Sequence, residues 1–159
     1  IQARKLAEKY GVKTALTFSD PAMVQFFKDG LKDMLGEGVD LLFCNEQEAQ
    51  SMTDCENIDD AAEQLKSLAK TFAITLGSEG ALVFDGQELI KIAPHSVEAK
   101  DSNGAGDMFA GAFMYALTQG KDFATAGKLA SLASATVVSQ FGPRLDQAQH
   151  APIKAAVLG

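Results

Sequence analysis

The chain has 159 residues, with 14 Lys and Arg against 21 Asp and Glu, and a formal net charge of −7. That length suits one domain, and a content of 47% hydrophobic and 22% charged residues is too apolar for a disordered chain. The acidic balance, without any cluster of Lys and Arg, argues against nucleic acid or an anionic membrane surface as a partner.

The first third of the chain is predicted to alternate helices and strands. A polar helix is expected over 2–10, a strand over 12–18 and a buried parallel strand over 39–44. Between the two strands, Pro21 stands at an early helical position. The apolar residues of that helix recur at helical spacing and are expected in the core: Met23, Phe26, Phe27, Leu31, Met34 and Leu35.

The middle of the chain continues the alternation and adds a hairpin. A second helix is predicted with Asp60 as its N-cap, followed by an apolar strand over 72–76. Strands over 81–84 and 87–92 flank Asp85-Gly86, a typical two-residue hairpin turn. An antiparallel pair is therefore expected to join the sheet.

Two further helices follow, one from about residue 107 and an Ala- and Ser-rich one from Phe123 to about Gln140. Strands that alternate with helices predict a layered α/β/α fold, with helices on both faces of a mostly parallel sheet. Ligands of such sheets collect at the carboxyl ends of the strands. Binding residues are expected there.

The cysteines and histidines show no spacing typical of a metal site, a disulfide framework or a catalytic group. Cys44 and Cys55 lack partners at zinc spacing and cannot build a disulfide framework, which favours a reducing, cytoplasmic setting. Cys44 ends an apolar strand and is expected to be buried. His95 and His150 lie in polar connections and are expected at the surface. No apolar stretch is long enough to span a membrane.

The strongest chemical signal is Gly104-Ala105-Gly106-Asp107 at the start of a strongly amphipathic helix. Small residues let a ligand approach the backbone, and the first N–H groups of a helix have no partner inside it, so together they can hold an anion. Asp107 then has two readings, a favourable first-turn carboxylate or a general base that faces an attacking hydroxyl. Spacing alone does not decide between them.

Three motifs in order resemble the ribokinase-like (PfkB) family of sugar and nucleoside kinases. The segment 101–107, Asp-Ser-Asn-Gly-Ala-Gly-Asp, resembles its D-[ST]-x-G-A-G-D signature, with Ser102 at the position where Thr is usual. Upstream, 45–48 resembles N-x-x-E and 75–80 resembles T-x-G-x-x-G. The similarity runs from about Val12 to Arg144 and corresponds to the C-terminal half of a family member. The N-terminal substrate and lid part is therefore expected to be absent from residues 1–159.

The resemblance implies roles for the helix start at 104–107. Asp107 would take the proton of the acceptor hydroxyl, while the amides of Gly104, Ala105, Gly106 and Asp107 would stabilise charge on the transferring phosphoryl group. Such a division of labour suits phosphoryl transfer, which depends mostly on positioning and electrostatics.

The other two motifs imply nucleotide and metal contacts. In the family reading Asn45 lies near the nucleotide phosphates and Glu48 acts on Mg²⁺ through water. The same spacing allows a plain capping box at the start of a helix, and the two readings are compatible. Thr75, Gly77 and Gly80 would line the ATP phosphates and ribose, or simply form a hairpin turn.

The resemblance also implies a monovalent cation such as K⁺ near Asp101, Asn103 and Gly142. Asn103, together with Phe-Gly-Pro-Arg-Leu at 141–145, is more similar to the adenosine kinases of the family than to its sugar kinases.

These signals predict an ATP- and Mg²⁺-dependent kinase that phosphorylates a primary hydroxyl of a nucleoside, with adenosine favoured, or of a sugar. The alternative is a nucleotide- or metabolite-binding module without catalysis of its own, because the acceptor site of the family lies largely on the half that is missing here. The isolated chain is accordingly expected to be inactive, and either to associate with itself or to be marginally stable, since a sheet cut through its middle exposes an apolar edge. A Rossmann-type dehydrogenase is disfavoured because its glycine fingerprint is absent.

Overall fold

The five strands of the protein form one sheet in the order β1-β2-β3-β4-β5, and they alternate with helices along the chain. The computed structural model describes all residues, 1–159. Its strands are β1 Ala15–Thr17, β2 Leu41–Asn45, β3 Phe72–Thr75, β4 Ala81–Phe84 and β5 Leu89–Ile92. Its helices are α1 Gln2–Tyr10, α2 Pro21–Leu35, α3 Glu46–Thr53, α4 Ile58–Leu65, α5 Ala105–Thr118, α6 Phe123–Val138 and α7 Gln147–Leu158. The predicted α/β class with a mostly parallel sheet is confirmed.

The chain divides into two compact units. The first unit comprises Ile1–Thr75 and Phe84–Glu88, and the second comprises Leu76–Val83 and Leu89–Gly159. Each has its own buried apolar cluster.

In the first unit the parallel strands follow from continuous apolar sequence. β1 pairs with β2 and β2 pairs with β3, both in parallel. The side chains of Leu42, Phe72 and Ile74 are fully buried, as a parallel strand covered on both faces requires. β1 is shorter than the predicted 12–18 strand.

The helix α2 differs most from expectation. Its buried residues are Val24, Leu31 and Leu35. Phe26 and Phe27 are 70% and 60% exposed, and Met23 and Met34 are exposed as well, so the predicted core face of this helix is largely wrong. The helical spacing is present, but only one edge of the apolar stripe meets the rest of the first unit. Phe27 also leaves helical geometry, with φ −129° and ψ 27°.

The N-cap of α4 and the turn between β4 and β5 lie a few residues away from their predicted positions. The N-cap of α4 is Asn57, whose side chain accepts a hydrogen bond from Asp60 N, so the assignment of the cap to Asp60 was wrong. Between β4 and β5, the Asp85 N–H donates to the Glu88 carbonyl at 3.3 Å, and β5 begins only at Leu89. The centre of the turn is thus one residue later than predicted. Such a short connection joins antiparallel neighbours, which confirms the expected hairpin.

The second unit is built on α5 and α6. Phe109 and Phe113 of α5 are buried, and the Phe113 ring meets the Phe123 ring of α6 edge to face at 5.5 Å between centroids. A Cβ at Gly127 would lie 2.6 Å from the Ile92 side chain, so the small residues of α6 allow close packing on β5.

The last helix, α7, was not predicted. It begins with a capping box between Asp146 and Gln149. None of the helices is both long and apolar enough to span a lipid bilayer. Both cysteines are free thiols, and Cys44 is buried as expected. Burial raises the pKa of its thiol.

Candidate active site

The first unit places two of the predicted nucleotide-binding residues side by side. Asn45 ends β2 and Thr75 ends β3, and the two are direct partners in the parallel register. Both therefore lie at the carboxyl edge of the sheet, where α/β folds bind ligands.

Asn45 and Glu48 close the start of α3 on itself. The Asn45 side-chain oxygen accepts from Glu48 N at 2.8 Å, and the Glu48 carboxylate accepts from Asn45 N at 2.9 Å. This confirms the capping-box interpretation. Two otherwise unpaired N–H groups are satisfied inside the protein.

Glu48 is also an unusual carboxylate, because its side chain is only 3% exposed. Burial raises its pKa, the Asn45 N–H bond opposes this shift, and the negative charge of Asp20 adds to it. One of its oxygens is used by Asn45. No group of three or more carboxylate, Cys or His side chains is placed to hold a metal ion directly. A single carboxylate of this kind fits Mg²⁺ that keeps several waters and depends on phosphate ligands.

In the second unit, residues 77–80 form a tight turn. Gly77–Glu79 is a single 3₁₀ turn, and Leu76 N donates to the Gly80 carbonyl at 2.9 Å. Gly80 has φ 93°, and a Cβ there would collide with the Ile92 carbonyl, so this glycine is required by the turn itself. Gly77, in contrast, has no heavy atom within 4 Å of its Cβ position, which leaves room for a ligand over its backbone.

The second unit also brings Asp101, Asn103 and Gly142 together. The Asp101 carboxylate accepts from Asn103 N and from Gly142 N, each at 3.0 Å. These two bonds hold the pKa of Asp101 below its usual value, and the bond from Asn103 contributes most to that shift. Lys100 N donates to the Val138 carbonyl at 2.8 Å and joins the same two loops. The residues proposed for a monovalent cation are thus neighbours.

Gly104 packs closely against Pro143 in the loop that contains Gly142. It has φ 77°, and a Cβ there would collide with the Pro143 carbonyl oxygen and lie 2.6 Å from the Pro143 Cβ. No other residue fits this conformation and this space. The glycine fixes where α5 begins.

The first turn of α5 keeps its amides available. Gly104 caps the helix without any side-chain hydrogen bond. Ala105 N donates weakly to the Ser102 carbonyl at 3.3 Å and Met108 N to the Gly104 carbonyl at 2.9 Å, whereas the amides of Gly106 and Asp107 have no partner in the protein. Gly106 is open above its backbone. Two unpaired donors at the positive end of a helix can bind an anion.

Asp107 stands beside these amides with its side chain exposed and without a hydrogen bond or ion pair. It borders a cavity of about 590 Å³ in the second unit. The lining of this cavity is largely apolar, and it also includes Arg144, His150 and Lys154. His150 is exposed as expected, but it lies in α7 and not in the polar connection that was predicted.

Sequence reasoning did not connect His150 or Lys154 with Asp107, because both belong to the unpredicted α7. The Asp146 and Gln149 capping pair was the signal that could have revealed that helix.

The predicted residues thus fall into two sets, each assembled within one unit. Asn45, Glu48 and Thr75 belong to the first unit. Gly77, Gly80, the 101–107 segment and Gly142 belong to the second.

Comparison with known proteins finds relatives that are nucleoside and sugar kinases. Adenosine kinase of Saccharomyces cerevisiae is 33% identical over 141 residues, which cover 80% of this chain and 41% of the yeast protein. Ribokinase of Haemophilus influenzae is 33% identical over 146 residues, 88% of this chain and 45% of that protein. The crystal structure of adenosine kinase from Sinorhizobium meliloti has a TM-score of 0.90 at 32% identity, over 98% of this chain and 48% of that one. The chain therefore spans about half the length of these relatives.

A family profile extends this result to nearly the whole sequence. The profile described as pfkB family carbohydrate kinase matches residues 1–150. The three motifs that suggested the family all lie inside this range, and the solved relatives share the fold. The chain belongs to the pfkB family of carbohydrate kinases.

Proposed function

We propose that the protein carrying this chain is an ATP-dependent kinase that transfers the γ-phosphoryl group to a primary hydroxyl of a nucleoside or a sugar. The observation that carries this proposal is the start of α5, where two unpaired amides, those of Gly106 and Asp107, adjoin an exposed and unpaired carboxylate. Family membership over residues 1–150 supports it.

In the proposed reaction, the carboxylate and the amides at this helix start have different roles. The acceptor oxygen attacks the γ-phosphorus, the bond from that phosphorus to the bridging oxygen breaks, and ADP leaves. Asp107 takes the hydroxyl proton, while the amides of Gly106 and Asp107, with Gly104 and Ala105 beside them, stabilise the negative charge of the transferring group. The carboxylate must face the hydroxyl, because a carboxylate aimed at the phosphate would repel it.

The remaining residues are assigned to the nucleotide and its ions. Asn45, Thr75, Gly77 and Gly80 would contact ATP. Glu48 would hold Mg²⁺ through water, and this ion would supply compensation of the phosphate charge. The adjoining Asp101, Asn103 and Gly142 would provide the oxygen ligands of a monovalent cation such as K⁺.

Adenosine is the acceptor that we favour. Adenosine kinases from Saccharomyces cerevisiae and Sinorhizobium meliloti are among the relatives, at 33% and 32% identity. Ribokinases and a cytidine kinase of Thermococcus kodakarensis are also among them, so a nucleoside or sugar hydroxyl is the shared chemistry.

The test is Asp107→Asn in the longest polypeptide that carries this chain, assayed by ADP release with adenosine and with ribose as acceptors. We expect turnover to fall about 10²- to 10⁴-fold, the usual contribution of a general base. The affinity for ATP should stay within about twofold. Asp122→Asn is the matched control, because Asp122 only caps α6 and Asn caps equally well. Near-normal turnover of the Asp107 variant would refute the base role.

A second function is favoured by the length of the chain. The part of this chain that aligns with the yeast adenosine kinase covers 41% of that protein, so this polypeptide alone could bind a nucleotide without phosphorylating anything. Calorimetric titration with ATP, run beside a kinase assay on this polypeptide, separates the cases. Binding without turnover favours the binding module, and turnover excludes it.

A further inference from the structure

One hydrogen bond connects α6 directly to the start of α5. The Ser134 hydroxyl donates to the carbonyl oxygen of Ala105 at 3.0 Å, and this contact is partly buried. Two other hydroxyls of α6 bond elsewhere: Ser131 donates to the Ala93 carbonyl and Thr136 to the Leu132 carbonyl of its own helix.

The position of the acceptor gives this bond its significance. A trans peptide group is a rigid plane in which the C=O and the following N–H point in opposite directions. A hydroxyl that fixes the Ala105 carbonyl therefore also fixes the N–H of Gly106 on the other side of the same plane. That amide is one of the two unpaired donors in the first turn.

Ala105 is the first residue of α5, so its carbonyl also takes part in the hydrogen bonding of the helix, and the Ser134 hydroxyl is its additional partner from outside the helix. Gly106 has no side chain, and no heavy atom lies within 4 Å of its Cβ position. Glycine also has the widest backbone freedom of any residue. The helices α5 and α6 also contain buried apolar residues such as Phe113, Ala130 and Val137. Their burial does not depend on the Ser134 hydroxyl.

We propose that Ser134 is a positioning residue that fixes the Gly106 amide in the orientation needed to receive the γ-phosphate of ATP. This inference rests on the proposed function, because it names the group that the amide meets. Ser134 itself stays out of contact with the nucleotide and acts through the peptide plane between residues 105 and 106.

The experiment compares wild-type chain with Ser134→Ala and with Ser134→Thr, which keeps a hydroxyl. Thr136→Ala is the control, since it removes a hydroxyl of α6 that bonds within its own helix. The first measurement is the ¹⁵N relaxation of the Gly106 amide in the free chain. The second is the affinity for Mg·ATP and for Mg·ADP, because only ATP carries the γ-phosphate.

We expect Ser134→Ala to increase the fast motion of the Gly106 amide and to weaken Mg·ATP binding about five- to tenfold, the factor that follows from one net hydrogen bond. Binding of Mg·ADP should change by less than twofold. Ser134→Thr should restore the wild-type values, and Thr136→Ala should match wild type. A purely structural serine would weaken both nucleotides equally.

The possible outcomes separate this inference from the proposed function. If Ser134→Ala leaves the Gly106 amide and the Mg·ATP affinity unchanged, the positioning role is overturned while the kinase proposal stands. Equal weakening of ATP and ADP also overturns it. If the wild-type chain and the longer polypeptide bind neither nucleotide, the proposed function fails first and this inference fails with it. Should Ser134→Ala not fold, Ser134→Cys, which is isosteric but a much weaker donor, takes its place.

Discussion

The helices α3 and α5 begin in opposite ways. The first turn of α3 is closed by its own side chains, since Asn45 and Glu48 satisfy each other's backbone N–H groups. The first turn of α5 begins at Gly104 without a capping side chain, and the amides of Gly106 and Asp107 have no partner. The capping side chains of α3 satisfy N–H groups at its start within the protein, whereas two N–H groups at the start of α5 are left free for a ligand.

The difference shows how a helix terminus becomes a binding site. Unpaired first-turn amides cost stability unless something satisfies them. At α3 the sequence provides a carboxylate three residues after the cap. At α5 the corresponding residue, Asp107, leaves the backbone free and points its carboxylate to solvent. The following predictions test this contrast, beginning with the largest expected effect.

The α5 start should depend on Gly104 for its shape. Gly104→Ala should lower the free energy of unfolding by about 3 kcal/mol or more, combining a left-handed backbone cost of about 1 to 2 kcal/mol with overpacking of about 1 to 3 kcal/mol against Pro143. Urea unfolding followed by circular dichroism measures the change. Gly106→Ala is the matched control, because its Cβ enters open space, and it should stay within about 1 kcal/mol of wild type. Equal losses at both positions would contradict the role of Gly104.

The α3 start should depend on a side chain instead. Asn45→Ala should destabilise the chain by about 1 kcal/mol, with a range of about 0.5 to 2 kcal/mol, because the Glu48 amide loses its acceptor. Asn45→Asp keeps an acceptor and should recover most of that loss in the same unfolding experiment. If Asn45→Asp is as unstable as Asn45→Ala, the cap does not account for the effect.

The two starts should also respond to pH in opposite directions. The folded-state pKa of Glu48 is raised, so the folded chain binds the proton more tightly and its stability falls as pH rises above about 4.5. Glu48→Gln should remove this loss and give a melting temperature above wild type near pH 7. The advantage should vanish toward pH 4.

Asp101, in the loop before α5, should show the reverse. The folded-state pKa of Asp101 is lowered, so this carboxylate contributes stability above its usual pKa of 3.8, and that stability is lost as pH falls through the lower folded-state pKa. Asp101→Asn should therefore lower the melting temperature near pH 7 and have little effect in strong acid. Melting curves between pH 3 and pH 8 for both variants measure the two effects, and parallel pH profiles would contradict the assignment.

The features that were predicted correctly depend on interactions between residues that are close in sequence. The capping box at Asn45 and Glu48 depends on a few neighbouring residues. The buried strands β2 and β3 follow from continuous apolar runs. The glycine and aspartate pattern at 104–107 likewise predicted an open helix start.

Sequence failed where the outcome depends on distant surfaces or on competing local signals. Phe26 and Phe27 have core spacing, yet whether an apolar stripe is buried depends on what covers it. At α4, both Asn57 and Asp60 can cap a helix, and the chain uses the earlier one. Helix α7 contains Pro152, which weakens a helix prediction although the capping pair starts the helix properly. The link between Ser134 and Ala105 joins residues 29 apart and has no signature in sequence.

The exposed apolar face of α1 and α2 has a practical consequence for anyone who purifies this polypeptide. Ile1 and Phe27 line the same shallow groove, together with Met23 and Met34. An affinity tag fused before Ile1 would begin beside this apolar groove. Tags at Gly159, low protein concentrations and a mild non-ionic detergent are the sensible starting conditions.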